Sequence, residues 1–126
     1  KHPPAKLPDT AKAGEGGLQA VLDITRPGTP TAGMHAAWQA VLNKYGLKKD
    51  SRIGYSIGAG FSPDWGEHTV SLRADDRHVL EPGNTLHIML GMWFEGWGME
   101  LSETVHITPS GHECLTDFAR TVFQKA

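Results

Sequence analysis

The sequence is poor in several things, and each shortage narrows what the chain can be. It has a single cysteine, Cys114, so no internal disulfide can staple the fold. No window approaches the ~20 consecutive apolar residues of a membrane-spanning helix. Neither sign of charge dominates: 12 Lys and Arg stand against 14 Asp and Glu, a net charge of -2 at pH 7. That balance provides no basic stripe for nucleic acid and no acidic tail. There is no initiator methionine and no signal-peptide apolar region, and the chain opens Lys1-His2-Pro3-Pro4. It is therefore expected to be a piece of a longer protein, soluble and cytoplasmic, with no membrane or nucleic-acid partner and a small molecule as its ligand. At 126 residues it is one domain at most, and it can bury roughly two-thirds of its unfolded surface.

In chain order, residues 1–8 are a proline-rich lead-in, and Asp9 is placed as the N-cap of a first helix running to about Thr25. Ala11, Leu18, Val21, Leu22 and Ile24 give that helix its stripe, while Gly14, Gly16 and Gly17 weaken it by up to ~1 kcal/mol each. After the turn cluster Arg26–Pro30, Thr31 is read as the cap of a second helix. Its stripe of Met34, Trp38, Val41, Leu42 and Tyr45 ends at Gly46. Trp38 belongs in the core and His35 on a solvated flank.

Ile53, Tyr55 and Ile57 alternate with small residues, which predicts a strand over 52–58. Tyr55 is then either the polar handle of a cavity or a half-buried core tyrosine. Pro63-Asp64-Trp65-Gly66 is a turn signal in a loop from Ser62 to Glu67, and its tryptophan has the position to cover a pocket. His68 to Arg73 is predicted as a further short strand.

The segments 85–94 and 99–108 form the most informative pattern. A turn centred on Glu95-Gly96 pairs residues whose numbers sum to 191, so Met89 faces Ser102, His87 faces Thr104 and Gly91 faces Glu100. One sheet face carries His87, Met89, Gly91 and Trp93 with Glu100, Ser102, Thr104 and His106. The other carries Leu86, Ile88, Leu90, Met92 and Phe94 with Met99, Leu101, Glu103, Val105 and Ile107. His87 is open between a site residue and a satisfied core histidine. Glu103, by parity on the apolar face, reads as a strand-end or subunit-contact charge. His106 lies near a strand end and reads as exposed, as do His2, His78 and His112. None of the seven histidines has the spacing of a strong zinc motif. The last segment, 113–126, places Leu115, Phe118, Val122 and Phe123 at nearly helical spacing, which predicts a short terminal helix or an arm packed on a partner.

Three stretches carry a resemblance. Gly54-Tyr55-Ser56-Ile57-Gly58-Ala59-Gly60-Phe61-Ser62 resembles the GHGIGxxxH segment of the pita-bread hydrolases, the superfamily of methionine aminopeptidase, aminopeptidase P, prolidase and creatinase. Residues 80–91, LEPGNTLHIMLG, are similar to the family's LxPGxxxTxEPG, and residues 100–111, ELSETVHITPSG, to its RIEDxVxVTxxG. The departures matter as much as the matches. Tyr55 stands where the family has a metal-binding histidine, Ser62 where it has a catalytic histidine, and Met89 and Ser102 where it has two metal-binding glutamates. The phenol, thioether and hydroxyl of Tyr55, Met89 and Ser102 do not suit a hard divalent ion, so no metal and no other cofactor is expected.

The resemblance implies an α+β fold with two helices packed on one face of a curved antiparallel sheet, with residues 1–126 forming the C-terminal part of a creatinase- or aminopeptidase-like catalytic domain. It further implies a hydrolase of amide-type carbon–nitrogen bonds in small or dipeptide-like molecules. The nearest branches are Xaa-Pro dipeptidase-like, creatinase-like and ectoine-hydrolase-like. His87 is the candidate acid or base, Glu100 would orient or replace it, and Tyr55 would donate to the oxyanion. Trp65 and Glu67 from the loop, and Ser102 and Trp93 on the sheet face, are the candidate substrate contacts. The exposed half-sheet implies a homodimer or larger self-association. The alternative is a non-catalytic binding or assembly module that has kept the sheet and lost the chemistry.

Overall fold

The structure is a computed structural model describing residues 2–60, 64 and 68–123. Two helices, α1 (Leu7–Ile24) and α2 (Thr31–Lys44), precede four strands: β1 (Gly54–Ser56), β2 (Thr85–Phe94), β3 (Trp97–Thr108) and β4 (Gly111–Cys114). The strands form one antiparallel sheet in the order β1-β2-β3-β4. α1 lies against β2 and β3, and α2 packs on α1, which gives the expected α+β architecture. No helix among the described residues is long and apolar enough to cross a membrane.

α1 begins two residues before Asp9, after an N-cap at Lys6, with Pro8 inside the first turn. The first-turn N–H groups have no helical partner, so a proline there forfeits nothing. Leu18, Val21 and Leu22 enter the core, with Ala11 and Ile24 packed at its edge. The glycines of α1 have a purpose that helix propensity conceals. A Cβ on Gly14 would lie 3.2 Å from Met99 Cε on β3, and one on Gly17 would lie 2.0 Å from the Trp38 ring. The helix is bare where the sheet and the largest core side chain must approach it. Gly17→Ala is therefore expected to destabilise the fold by about 2 kcal/mol despite its better helix propensity, since overpacking costs about 1–3 kcal/mol. An unchanged or raised denaturation midpoint would contradict that packing.

In α2, Met34, Trp38 and Leu42 are fully buried, as their spacing requires. Tyr45 leaves the stripe and is 40% exposed, because it sits at the C-cap where the helix ends. Gly46, at φ 65°, lets its N–H reach the Asn43 carbonyl while Leu47 N–H reaches that of Leu42, a Schellman closure. Thr31 is no cap: its hydroxyl lies 2.5 Å from Asp76 Oδ2 and 3.0 Å from the His78 carbonyl. Those bonds tie the start of α2 to the 76–80 segment, where Pro30 and Val79 form a bridge. His35 is buried rather than solvated, at 8% exposure, beside the core that Met34 and Trp38 anchor.

The hairpin has the predicted register throughout, from Thr85↔His106 to Phe94↔Trp97. Gly96 takes the positive φ, 78°, that a two-residue connection requires, and the Phe94 and Trp97 rings stack across it at 4.5 Å. Leu86, Ile88, Leu90, Met92, Val105 and Ile107 are buried under α1, so the opposite face is the one free to bear a site.

Two strand expectations change. The predicted 52–58 strand is regular only over Gly54–Ser56. Residues 68–73 run beside it with a single bridge, Tyr55↔Ser71, instead of forming a strand. Backbone bonds join Ile53 to Leu72 and Gly54 to Leu72, but Ser56 Oγ also takes the Val70 N–H at 3.2 Å, and a side-chain acceptor of that kind competes with the ladder. At the other end, the Thr108-Pro109-Ser110-Gly111 turn begins β4, which pairs Val105 with Cys114.

Beyond β4, residues 115–123 form no helix, and Leu115, Phe118 and Phe123 are more than half exposed. Polar bonds hold this arm instead. Glu103, 3% exposed on the apolar face, accepts from the Thr116 hydroxyl, from Arg120 Nε at 3.0 Å and from the Thr104 N–H at 3.1 Å. It is an anchor for the C-terminal arm within the chain.

Candidate active site

The face of the sheet turned away from α1 gathers most of the candidate residues through register alone. Tyr55 on β1 is the Cα partner of His87 on β2, and their rings lie 5.6 Å apart at 53°. His87 in turn faces Thr104 on β3, whose hydroxyl oxygen is 3.1 Å from His87 Nδ1. One step along are Met89 and Ser102, and one further are Gly91 and Glu100. Tyr55, Ile57, Gly58, Thr85, His87, Met89 and Glu100 line one cavity of about 620 Å³. His87 is half-buried on the wall of that cavity and not packed in the core, and Tyr55 is likewise half-buried beside it.

The backbone shows why these groups sit close. Met89 N–H donates to the Ile53 carbonyl and Ile57 N–H to that of Thr85, so the odd-numbered residues of β2 direct their hydrogen bonds toward β1. Facing β3, the same residues form non-hydrogen-bonded pairs, in which side chains approach most closely. His87–Thr104, Met89–Ser102 and Gly91–Glu100 are all of this kind.

The cavity wall carries charge of both signs nearby. The Arg52 guanidinium lies 4.8 Å over the Tyr55 ring on the loop that enters β1. Lys49, in the same connection, donates from Nζ to the Gly91 carbonyl at 2.6 Å. Burial pushes its ammonium below the usual lysine range, and the charge of Glu100 works in the opposite direction. Sequence reading passed over Lys49 as part of a polar connection, and nothing in the spacing of Leu47-Lys48-Lys49-Asp50 shows which strand it reaches. Thr85 and Gly58 were also passed over, although Thr85 shares the parity of His87.

The remaining candidates are more scattered. Ser102 is exposed on the same face but does not line the cavity. Trp93 is 73% exposed and, with Lys6, Lys48 and Lys49, lines a separate cavity of about 420 Å³. Ser62, Trp65 and Glu67 lie outside the described residues. His106 pairs at 2.9 Å with Glu113 across β3 and β4 and does not line the cavity. His78 pairs with Asp76, and His112 Nδ1 lies 2.8 Å from the Thr25 carbonyl.

The described wall of the cavity carries groups able to transfer protons and few anionic metal donors. It presents a phenol, an imidazole, a thioether and one carboxylate. Among the described residues no three His, Cys, Asp or Glu side chains are grouped closely enough to hold a metal ion. The facing pair Met89–Ser102 supplies a sulfur and a neutral hydroxyl, a poor donor set for a divalent ion that prefers anionic oxygen and imidazole.

Comparison with known proteins places this geometry. A sequence model of the family described as Metallopeptidase family M24 matches residues 2–109. The ectoine hydrolase of Halomonas elongata is 44% identical over 125 residues, which are 98% of this chain and 31% of that protein. An uncharacterised hydrolase/peptidase of Sinorhizobium fredii is 37% identical over 98% of this chain and 32% of its own length. Among solved structures, the dipeptidase PepE of Mycobacterium ulcerans superposes with a TM-score of 0.84 at 25% identity, over 96% of this chain and 32% of that one. The prolidase of Pyrococcus furiosus superposes with a TM-score of 0.82 at 20% identity, over 94% and 35%, a likeness of fold. The chain thus spans about a third of the length of these relatives.

Proposed function

Because the chain belongs to Metallopeptidase family M24, we propose that it is the C-terminal portion of a hydrolase that cleaves amide-type carbon–nitrogen bonds in small molecules, and that it works without a metal. The observation that carries this reading is the convergence of Tyr55, His87 and Glu100 on one cavity. A metal-free amide hydrolase needs a base to activate water, an acid for the leaving nitrogen and a donor for the developing oxyanion. With the Thr104 hydroxyl accepting from Nδ1–H, His87 has Nε2 free to take the proton of water and return it to the leaving nitrogen. Glu100 holds the water or stabilises the imidazolium, and the Tyr55 hydroxyl donates to the oxyanion.

The similarity to a protein named ectoine hydrolase favours a small polar substrate over a long peptide. The rest of the protein, in relatives of three times this length, would complete the pocket. Trp65 and Glu67 are proposed as substrate contacts from their loop, Ser102 and Trp93 from the sheet. Self-association into a dimer and a cytoplasmic location are likewise proposed.

The donor set makes a direct test available. The intact protein, purified without a histidine tag, is expected to contain no stoichiometric divalent metal, and its turnover of small amides is expected to survive exhaustive chelation. One or two equivalents of manganese, zinc or cobalt, lost together with activity on chelation, would contradict metal independence. Binding of small amides with no turnover at all would favour the non-catalytic module.

A further inference from the structure

Two residues that have no role in the chemistry just described stand beside Glu100, Gly91 across the strand pair and Lys49 beyond it. Gly91 faces Glu100 across β2 and β3 in a non-hydrogen-bonded pair, where the Cα atoms are nearest. A Cβ built on Gly91 would lie 2.7 Å from Glu100 Oε2 and 3.4 Å from Trp93 Nε1. The carboxylate therefore lies across the bare Cα of Gly91, in space that any side chain at position 91 would occupy. The backbone of Gly91 is held as well. Its carbonyl points to the β1 side, as the Thr85 carbonyl and the Met89 N–H do, but β1 pairs only with residues 86–88. Lys49 Nζ fills the vacancy beyond the strand end, 2.6 Å from the Gly91 oxygen. The same ammonium is close enough for the charge of Glu100 to act on it.

We propose that Gly91 and Lys49 are positioning residues for Glu100, the first by leaving the space its carboxylate occupies and the second by pinning the strand beneath it. The effect on turnover rests on the catalytic reading of Glu100, while the effect on packing does not. An alanine at 91 displaces the carboxylate by roughly the size of a methyl group, and a misplacement of about 1 Å can cost about 100-fold in rate.

The test is a double-mutant cycle in the intact protein, with kcat, KM and Tm measured for Gly91→Ala, Glu100→Ala and the pair. Gly91→Ala is expected to lower kcat by about 10- to 100-fold with KM little changed, and to lower Tm only slightly, because the Glu100 carboxylate is the exposed end of a flexible side chain and can swing aside. In the Glu100→Ala background the same change is expected to alter neither, because the group it collides with is gone. Lys49→Met should likewise lower kcat only when Glu100 is present, and Lys49→Arg, which keeps a cationic donor, should restore it. Equal losses in both backgrounds, in turnover and in Tm alike, would overturn the proposal. If Glu100→Ala keeps full turnover, the catalytic reading of Glu100 fails. The coupling in Tm then still decides whether Gly91 makes room for the carboxylate.

Discussion

Replacing Glu103 by alanine is expected to destabilise the protein by about 3 kcal/mol, the low end for breaking a buried ion pair from one side. The carboxylate is almost entirely buried, its side chain 2% exposed, while that of Arg120 is 34% exposed and regains some water when its partner is removed. Burial alone would push the Glu103 carboxyl up. The hydrogen bonds from Thr116, Arg120 and the Thr104 N–H, with the Arg120 charge, outweigh burial and hold it below the usual carboxylate range. A depressed folded-state pKa means the unfolded chain takes up the proton first. The stabilisation is therefore complete above the unfolded value of about 4.3 and is lost as pH falls through the lower folded value. Glu103→Gln should accordingly flatten the acid side of the stability profile and, at neutral pH, make residues 115–123 more open to proteolysis, since this arm has no regular element of its own. Wild-type acid stability and unaltered cleavage in that variant would show that the arm is held by something else.

Much of the site could be read from the amino acids because register follows from few facts. A two-residue Glu95-Gly96 turn and strict alternation fix which residues face each other over ten pairs, and every one of the three pairs that matter, 87–104, 89–102 and 91–100, follows. Parity also separates the buried Leu86, Ile88 and Leu90 from the cavity-facing His87 and Met89. What eluded sequence reading depends on contacts between distant segments. The glycines of α1 look like weaknesses until Trp38 is seen against Gly17. Thr31 has the chemistry of a cap, and only the approach of Asp76 and His78 diverts it. His35 is polar and one residue from the stripe, so its burial depends on how α2 meets its neighbours. The apolar spacing after Glu113 suggested a helix, yet with Phe118 and Phe123 exposed there is no face to bury, and Arg120 and Thr116 bind Glu103 instead. Lys49 shows the same limit on the functional side, for a long flexible side chain leaves no periodic trace of its target.

The measurement that bears most directly on the catalytic reading is turnover and melting temperature of His87→Ala, on the same preparation of the intact protein. His87 stands on the cavity wall, with Tyr55 beside it and Thr104 at Nδ1. It is half-buried, so truncation leaves little void and takes one side-chain hydrogen bond, a loss of about 1 kcal/mol. Loss of a general acid or base costs about 100-fold or more in rate. The account predicts turnover reduced by at least that factor with the melting temperature lowered only slightly. Unaltered turnover with a clearly lowered melting temperature would contradict it, making His87 a packing residue and removing the main support for the cavity as an active site.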